Sequence, residues 1–336
     1  MAYQRDIGFS TVAEVAYVGN FGRNGRRQKT INNVPLYAYA SPAAQFNGDA
    51  INANFLRQPY PGQGNIQQLT SEEVSLNYNA MQLSVQRRLS HGLQLGVAYT
   101  LSHANGITGW DYYTELLGGQ DGLNQRYYGP TTNDRTHNLV FNYSYNIPTF
   151  SKVAVLKQIV SDWQVSGVTQ LLSGTALTPT CGLQSGVAGV YNTDPTLSGG
   201  TLRCQMTGQS LTDFVADSSK PVEEQLHFNP AAYTRVRIAN GATVGAFGDE
   251  PTGQLRNPTW WNQDFTLARR IPVPIGRGGS ARIQFQVFNL FNLVQFTTMD
   301  IGQSFSAAGV NQNATVGQYT ATTLPRQMGL TLRFDY

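Results

Sequence analysis

Apolar residues recur at every second position through several stretches of about ten residues, and a period of two restricts these stretches to strands with unlike faces. From Met81 apolar residues stand at odd positions as Met81, Leu83, Val85 and Leu89; beyond Ser90-His91-Gly92 they continue as Leu93, Leu95, Val97, Tyr99 and Leu101. The even positions between them are Gln82, Ser84, Gln86 and Arg88, then Gln94, Gly96, Ala98, Thr100 and Ser102. That pattern is a hairpin with one apolar and one polar face. It returns over residues 139–147, 163–171, 265–267, 283–287 and 328–336, and more weakly over 11–18. With a truncated strand at the start, about nine strands are expected.

Each unit has the length a tilted strand needs to cross a bilayer, about 9–11 residues. The links between units alternate in length. Short ones fall near residues 6–9, 90–92, 148–161 and 272–279, and long ones span roughly 19–77, 104–135, 174–259 and 292–324. Short turns on the periplasmic side and long loops outside are the connection pattern of outer-membrane barrels. The expected fold is therefore all-β: a partial, antiparallel transmembrane β-barrel in the cell outer membrane, with lipid against its apolar face. Trp163, Tyr145 and Tyr336 then fall near the periplasmic ends of their strands and Tyr17 and Trp261 near the outer ends, where aromatic girdles form.

A soluble β-sandwich would also alternate, but its solvent face would be rich in Lys and Glu. Here charged residues are 13% of the chain, against a usual figure of about 25%, and the lysines are Lys29, Lys152, Lys157 and Lys220 alone. Gln, Asn, Ser, Thr and Gly fill the polar face, which suits a wet lumen. No stretch approaches the ~20 apolar residues of a membrane helix, and residues 1–10 lack the features of a signal peptide. The net charge of +3 is spread along the chain, with no basic stripe for phosphates, so nucleic acid is not an expected partner.

Chemistry-bearing clusters are sparse. His91, His103, His137 and His227 fall in a turn, at two strand ends and in a long loop, none at metal-ligand spacing. Glu72-Glu73 and Glu223-Glu224 read as solvated loop charges, and Asp134-Arg135 as a local ion pair pinning the start of a strand. No catalytic residue, metal site or cofactor is expected, and the chain is not expected to be an enzyme. Cys181 and Cys204 lie in one loop-like region, either as free thiols or as a disulfide closing that loop. The densest candidate for gripping a solute is an outer-loop cluster of Trp110, Tyr112 and Tyr113 with Arg126, Tyr127 and Tyr128. Its rings would serve equally to pack the loop onto the barrel rim.

Several stretches in order resemble the C-terminal barrel portion of TonB-dependent outer-membrane receptors, specifically the Oar-like group that often carries a carboxypeptidase-regulatory-like domain at its N-terminus. They are VAEVAYVGNFGRN (12–24), YNAMQLSVQRRLSHGLQLGVAYTLSHA (78–104), NDRTHNLVFNYSYNIP (133–148), DWQVSGVTQLLSGTALT (162–178), FNPAAY (228–233), AFGDEPTGQLRNPTWWNQDFTLARRIP (246–272), ARIQFQVFNLFNLVQF (281–296) and the terminal RQMGLTLRFDY. The resemblance implies a barrel of about 22 strands with an N-terminal plug, and energised uptake of a bulky solute through the TonB complex. About nine strands cannot close such a barrel. Residues 1–336 are thus expected to be its C-terminal part, without plug or TonB box. Phe334 and Tyr336 resemble the aromatic ending read by the barrel assembly machinery. A passive porin-like or adhesive surface barrel is the alternative.

Overall fold

The computed structural model describes residues 1–32, 55, 57, 59–64, 66–107, 128–148, 161–183, 203–214, 216–234, 249–273, 279–306 and 309–335, with backbone alone for 26–30, 67–74 and 183. Nine strands form one antiparallel sheet: β1 (Ala2–Gly8), β2 (Thr11–Thr30), β3 (Gln67–Ser90), β4 (Leu93–Gly106), β5 (His137–Asn146), β6 (Trp163–Leu172), β7 (Trp260–Pro272), β8 (Ser280–Phe288) and β9 (Gln327–Asp335). Each pairs with its neighbours in sequence, so the order is β1 through β9 without a crossover. A short bridge at Gly129–Pro130 extends the outer end of β4. β1 and β9 are not paired with each other, so the sheet is an open wall.

The register turns the alternation of single strands into two continuous faces. One row runs Val15–Leu83–Tyr99–Leu139–Leu171–Trp261 across β2 to β7. Another runs Leu93–Tyr145–Val165–Leu267–Phe285–Leu330 across β4 to β9. The row between them on the opposite face is Gln94–Ser144–Ser166–Thr266–Gln286–Gly329. A slip of one residue in any pair would exchange the faces, so the shared phase holds the register of all nine strands.

Nothing among the described residues covers the apolar face. Leu330 is 74% exposed, and Met328, Leu332, Phe285 and Ile283 are exposed beside it. A sandwich would bury this face under a second sheet. Left bare, it forms an apolar surface far larger than a water-soluble monomer tolerates, and hydrocarbon is the medium that accommodates it. Tyr143 stands opposite Gly167 on this face, its hydroxyl 2.8 Å from where a Cβ on Gly167 would lie. The ring fills the space that the missing side chain leaves.

At one end the β1–β2 and β3–β4 turns are two residues long. Phe9-Ser10 and His91-Gly92 have positive φ at both positions, the backbone twist that two-residue hairpins favour. At the other end β2 and β3 run on well past the bilayer, through 20 and 24 residues. The expected loop of 19–77 therefore contracts to the segment between Thr30 and Gln67, and Glu72-Glu73 lie within β3, not in a loop. Pairing satisfies the backbone whatever the side chains are, so it continues where the alternation fades.

The buried hydrophobic cluster is not under the sheet but in the long outer connections. Cys181, Cys204, Phe228, Ala232, Tyr233, Leu255, Met299, Phe305 and Val316 pack together there. They come from the β6–β7 and β8–β9 connections, stitched by short pairs. Leu255–Arg256 pairs with Ala176–Leu177, and Gln205–Met206 with Tyr233–Thr234. Phe296–Met299 pairs with Tyr319–Thr322, and Gly302–Phe305 runs parallel to Thr180–Leu183.

Candidate functional site

Two surfaces have the position and chemistry to meet a solute: the polar wall of the sheet and the folded outer layer above it. On the wall, Ser84, Gln86, Arg88, Gln94, Asn142 and Ser144 line a shallow concavity of about 440 Å³. Gly96 stands opposite Asn142, and the absence of a Cβ there leaves room for the Asn142 side-chain amide. Gln164 donates to the Ser144 hydroxyl at 2.9 Å. Asp264 accepts from the Asn262 side chain at 2.8 Å and the Asn289 amide at 3.0 Å. Away from the arginines near its short-turn end, this wall offers mainly neutral hydrogen-bonding groups.

In the outer layer Cys181 and Cys204 are joined as a disulfide across 23 residues, with Cα atoms 4.9 Å apart. Glu250, 1% exposed, lies against this bridge and accepts from the Cys204 amide at 3.3 Å. Burial pushes its carboxyl up to about 8, against the opposing pull of that amide and of the Arg203 guanidinium. Arg203 donates to the Glu250 carbonyl at 2.9 Å and the Thr252 hydroxyl at 2.8 Å. Burial, and secondarily Glu250, also raise the Tyr233 hydroxyl above its usual range. The Tyr233 hydroxyl donates to Gln254 at 3.1 Å.

The ion pair expected between Asp134 and Arg135 is not the one that forms. Asp134 pairs with Arg256 at 2.6 Å, while Arg135 donates to the Ser173 carbonyl at 2.7 Å. Successive residues of an extended segment point to opposite sides, so the neighbour in sequence is poorly placed and a residue from a distant loop takes the position. Asp134 also accepts from the Ala104 amide at 2.6 Å, which ties the outer end of β4 to the start of β5.

Of the outer-loop cluster, Trp110, Tyr112, Tyr113, Arg126 and Tyr127 lie outside the described residues. Tyr128 accepts a hydrogen bond from the Asn77 side-chain nitrogen, and Arg23 donates to the Asn77 side-chain oxygen at 2.8 Å. Phe334 stands opposite Ala281 on the apolar face, and Tyr336 lies outside the described residues. The residues alone gave no sign of a ring ladder in the outer layer. His227 stacks on Tyr319 at 3.6 Å and Tyr319 on Phe296 at 4.7 Å. These three rings are far apart in sequence, and no local pattern marks them as neighbours.

A single antiparallel sheet, apolar and uncovered on one face, polar on the other, with short turns at one end and a folded loop layer at the other, is the wall of a transmembrane β-barrel. In keeping with this, residues 1–329 match the family described as outer membrane beta barrel domain, and the chain belongs to that family. Its place is the outer membrane. No curated protein sequence matches the chain. Among solved structures it is similar to the outer membrane transporter YddB from Escherichia coli, with 8% identity and a TM-score of 0.42 over 98% of this chain and 31% of that one. It is also similar to P. aeruginosa FpvA bound to heterologous pyoverdines, with 11% identity and a TM-score of 0.40 over 97% of this chain and 25% of that one. A third is the ferripyoverdine receptor of the outer membrane of Pseudomonas aeruginosa, at 12% identity, TM-score 0.37, and 99% and 26% coverage. The chain spans roughly a quarter to a third of the length of these structures.

Proposed function

We propose that the chain is part of the wall and outer surface of an outer-membrane receptor that imports a bulky solute by energised, TonB-dependent uptake, without a catalytic role. The observation that carries this reading is the combination of a hydrogen-bonding, weakly charged lumen wall with a folded outer layer set over its outer end. Such a wall suits a large polar solute, an oligosaccharide, a peptide or a metal chelate, that exchanges hydration for many neutral hydrogen bonds. The ordered stretches that resemble the Oar-like group support the energised mode and its TonB complex. A passive porin-like or adhesive barrel is the second reading, favoured by the size of the folded outer layer, which would also hold another surface.

Cells carrying the whole protein, given fluorescent maltodextrins, oligopeptides and ferric chelates, test this. Accumulation of one class that stops when a protonophore collapses the inner-membrane gradient is the expected result. A steady conductance of the purified protein in planar bilayers, with accumulation indifferent to the protonophore, would establish the passive barrel instead.

A further inference from the structure

Arg270 of β7 stands directly opposite Arg282 of β8, which stands directly opposite Arg333 of β9. The three form one exposed row on the polar face, near the short-turn end. Like charges at directly opposed sheet positions destabilise the pairing, so a row of three calls for compensation. Inside the wall that compensation is weak. Arg270 donates to the Ser280 hydroxyl at 3.0 Å and Arg282 to the Gln164 side-chain oxygen at 3.4 Å, both neutral acceptors. Among the described residues, Arg333 is the one of the three with a carboxylate partner, Asp335 at 2.9 Å.

The sequences that link β5 to β6 and β7 to β8 are also basic. The sequence of 149–160 carries Lys152 and Lys157 with no acid, and that of 274–278 carries Arg277 with none. Arg270 and Arg282 line an open concavity of about 650 Å³ with Asn146 and Gln164, and among the described residues Asp162 is the one carboxylate on its border. Asp264 lies about 20 Å further along β7.

We propose that the Arg270–Arg282–Arg333 row is an anion-binding site of the lumen wall, taking the phosphate or carboxylate groups of a multivalent oxyanion. Guanidinium forks match such groups in two-point contacts, and three adjacent strands spread them over about 10 Å. That span fits a diphosphate or a tricarboxylate better than a single small ion. Rings of arginine perform the same selection in anion and phosphate pores. The site depends on the polar face being the lumen and not on energised uptake, so the barrel would bind the anion whether or not import is TonB-dependent.

The test uses the whole protein in detergent, titrated calorimetrically with inorganic pyrophosphate. Binding that weakens as salt rises is expected, with a loss of about tenfold or more for Arg270→Gln and for Arg282→Gln. Arg282→Lys should retain part of the affinity, and Arg326→Gln in the outer layer should retain all of it. In the unaltered protein, pyrophosphate should shield Arg270 and Arg282 from phenylglyoxal, read by peptide mass spectrometry. No pyrophosphate binding by the wild type, or undiminished binding in the double Gln variant, overturns the proposal. So does shielding of both arginines before pyrophosphate is added, the result expected if an acidic surface of the same protein covers the row.

Discussion

Asp134, buried at the start of β5, holds the Arg256 guanidinium at 2.6 Å although 122 residues separate them. The pair joins the β4–β5 and β6–β7 connections, and Arg256 adds a bond to the Asp134 carbonyl at 3.1 Å.

Removing one partner should therefore loosen the outer mouth. Arg256→Gln leaves a buried carboxylate uncompensated, which costs about 3 kcal/mol. Adding Asp134→Asn should return most of it. Amide exchange at Ala104, whose N–H donates to Asp134, reads both changes; an Arg256→Gln variant that exchanges like the wild type would show that the pair is a bystander.

Glu250 makes the outer layer sensitive to pH. Its folded pKa of about 8 lies above the value near 4.3 of a free Glu. Folding is thus coupled to holding the proton: the contribution is full below about 4.3 and is lost as pH rises through about 8. The layer should resist proteolysis better at pH 5.5 than at pH 8.5, and Glu250→Gln should flatten that difference.

The Cys181–Cys204 bridge closes a loop of 23 residues, and in a chain-entropy account it stabilises the layer by about 3 kcal/mol. Paired Cys→Ser substitutions should make the connections between β6 and β9 protease-sensitive on intact cells while the strands remain assembled. Loss of the assembled barrel itself would place the bridge in the folding of the wall.

The two faces make opposite predictions for neighbouring residues of β9. Leu330→Arg puts a charge in hydrocarbon and should cost about 2–4 kcal/mol in vesicle-reconstituted barrel. Thr331→Arg, opposite Gln284 on the lumen side, should cost little. Urea titrations that give the two variants equal losses would refute the assignment of faces.

Much of the wall was legible because its signal is local. Residues two apart share a face of a strand, so Met81, Leu83 and Val85 announce a half-apolar strand before any partner is known, and the lengths of the links order the strands. The limits of the β2–β3 ribbon were not legible, since backbone pairing continues through residues that carry no alternation. Asp134 was legible as an anchor but not its partner, because an ion pair is chosen by position in space. His227, Tyr319 and Phe296 meet only once two connections have folded against each other.

The period of two determined that this protein is a set of antiparallel strands with unlike faces, and the alternation of short and long links together with a charged fraction of only 13% pointed to lipid as the apolar face's surroundings, since a soluble sheet would carry more charge on its polar face. The tertiary structure decided what lies in register. Only the pairing of β7, β8 and β9 brings three arginines into one row. Only the packing of the two long connections puts Glu250 against the disulfide and makes a hydrophobic core in what the sequence presents as loops. Such contacts arise from long-range chain closure, which no local spacing encodes.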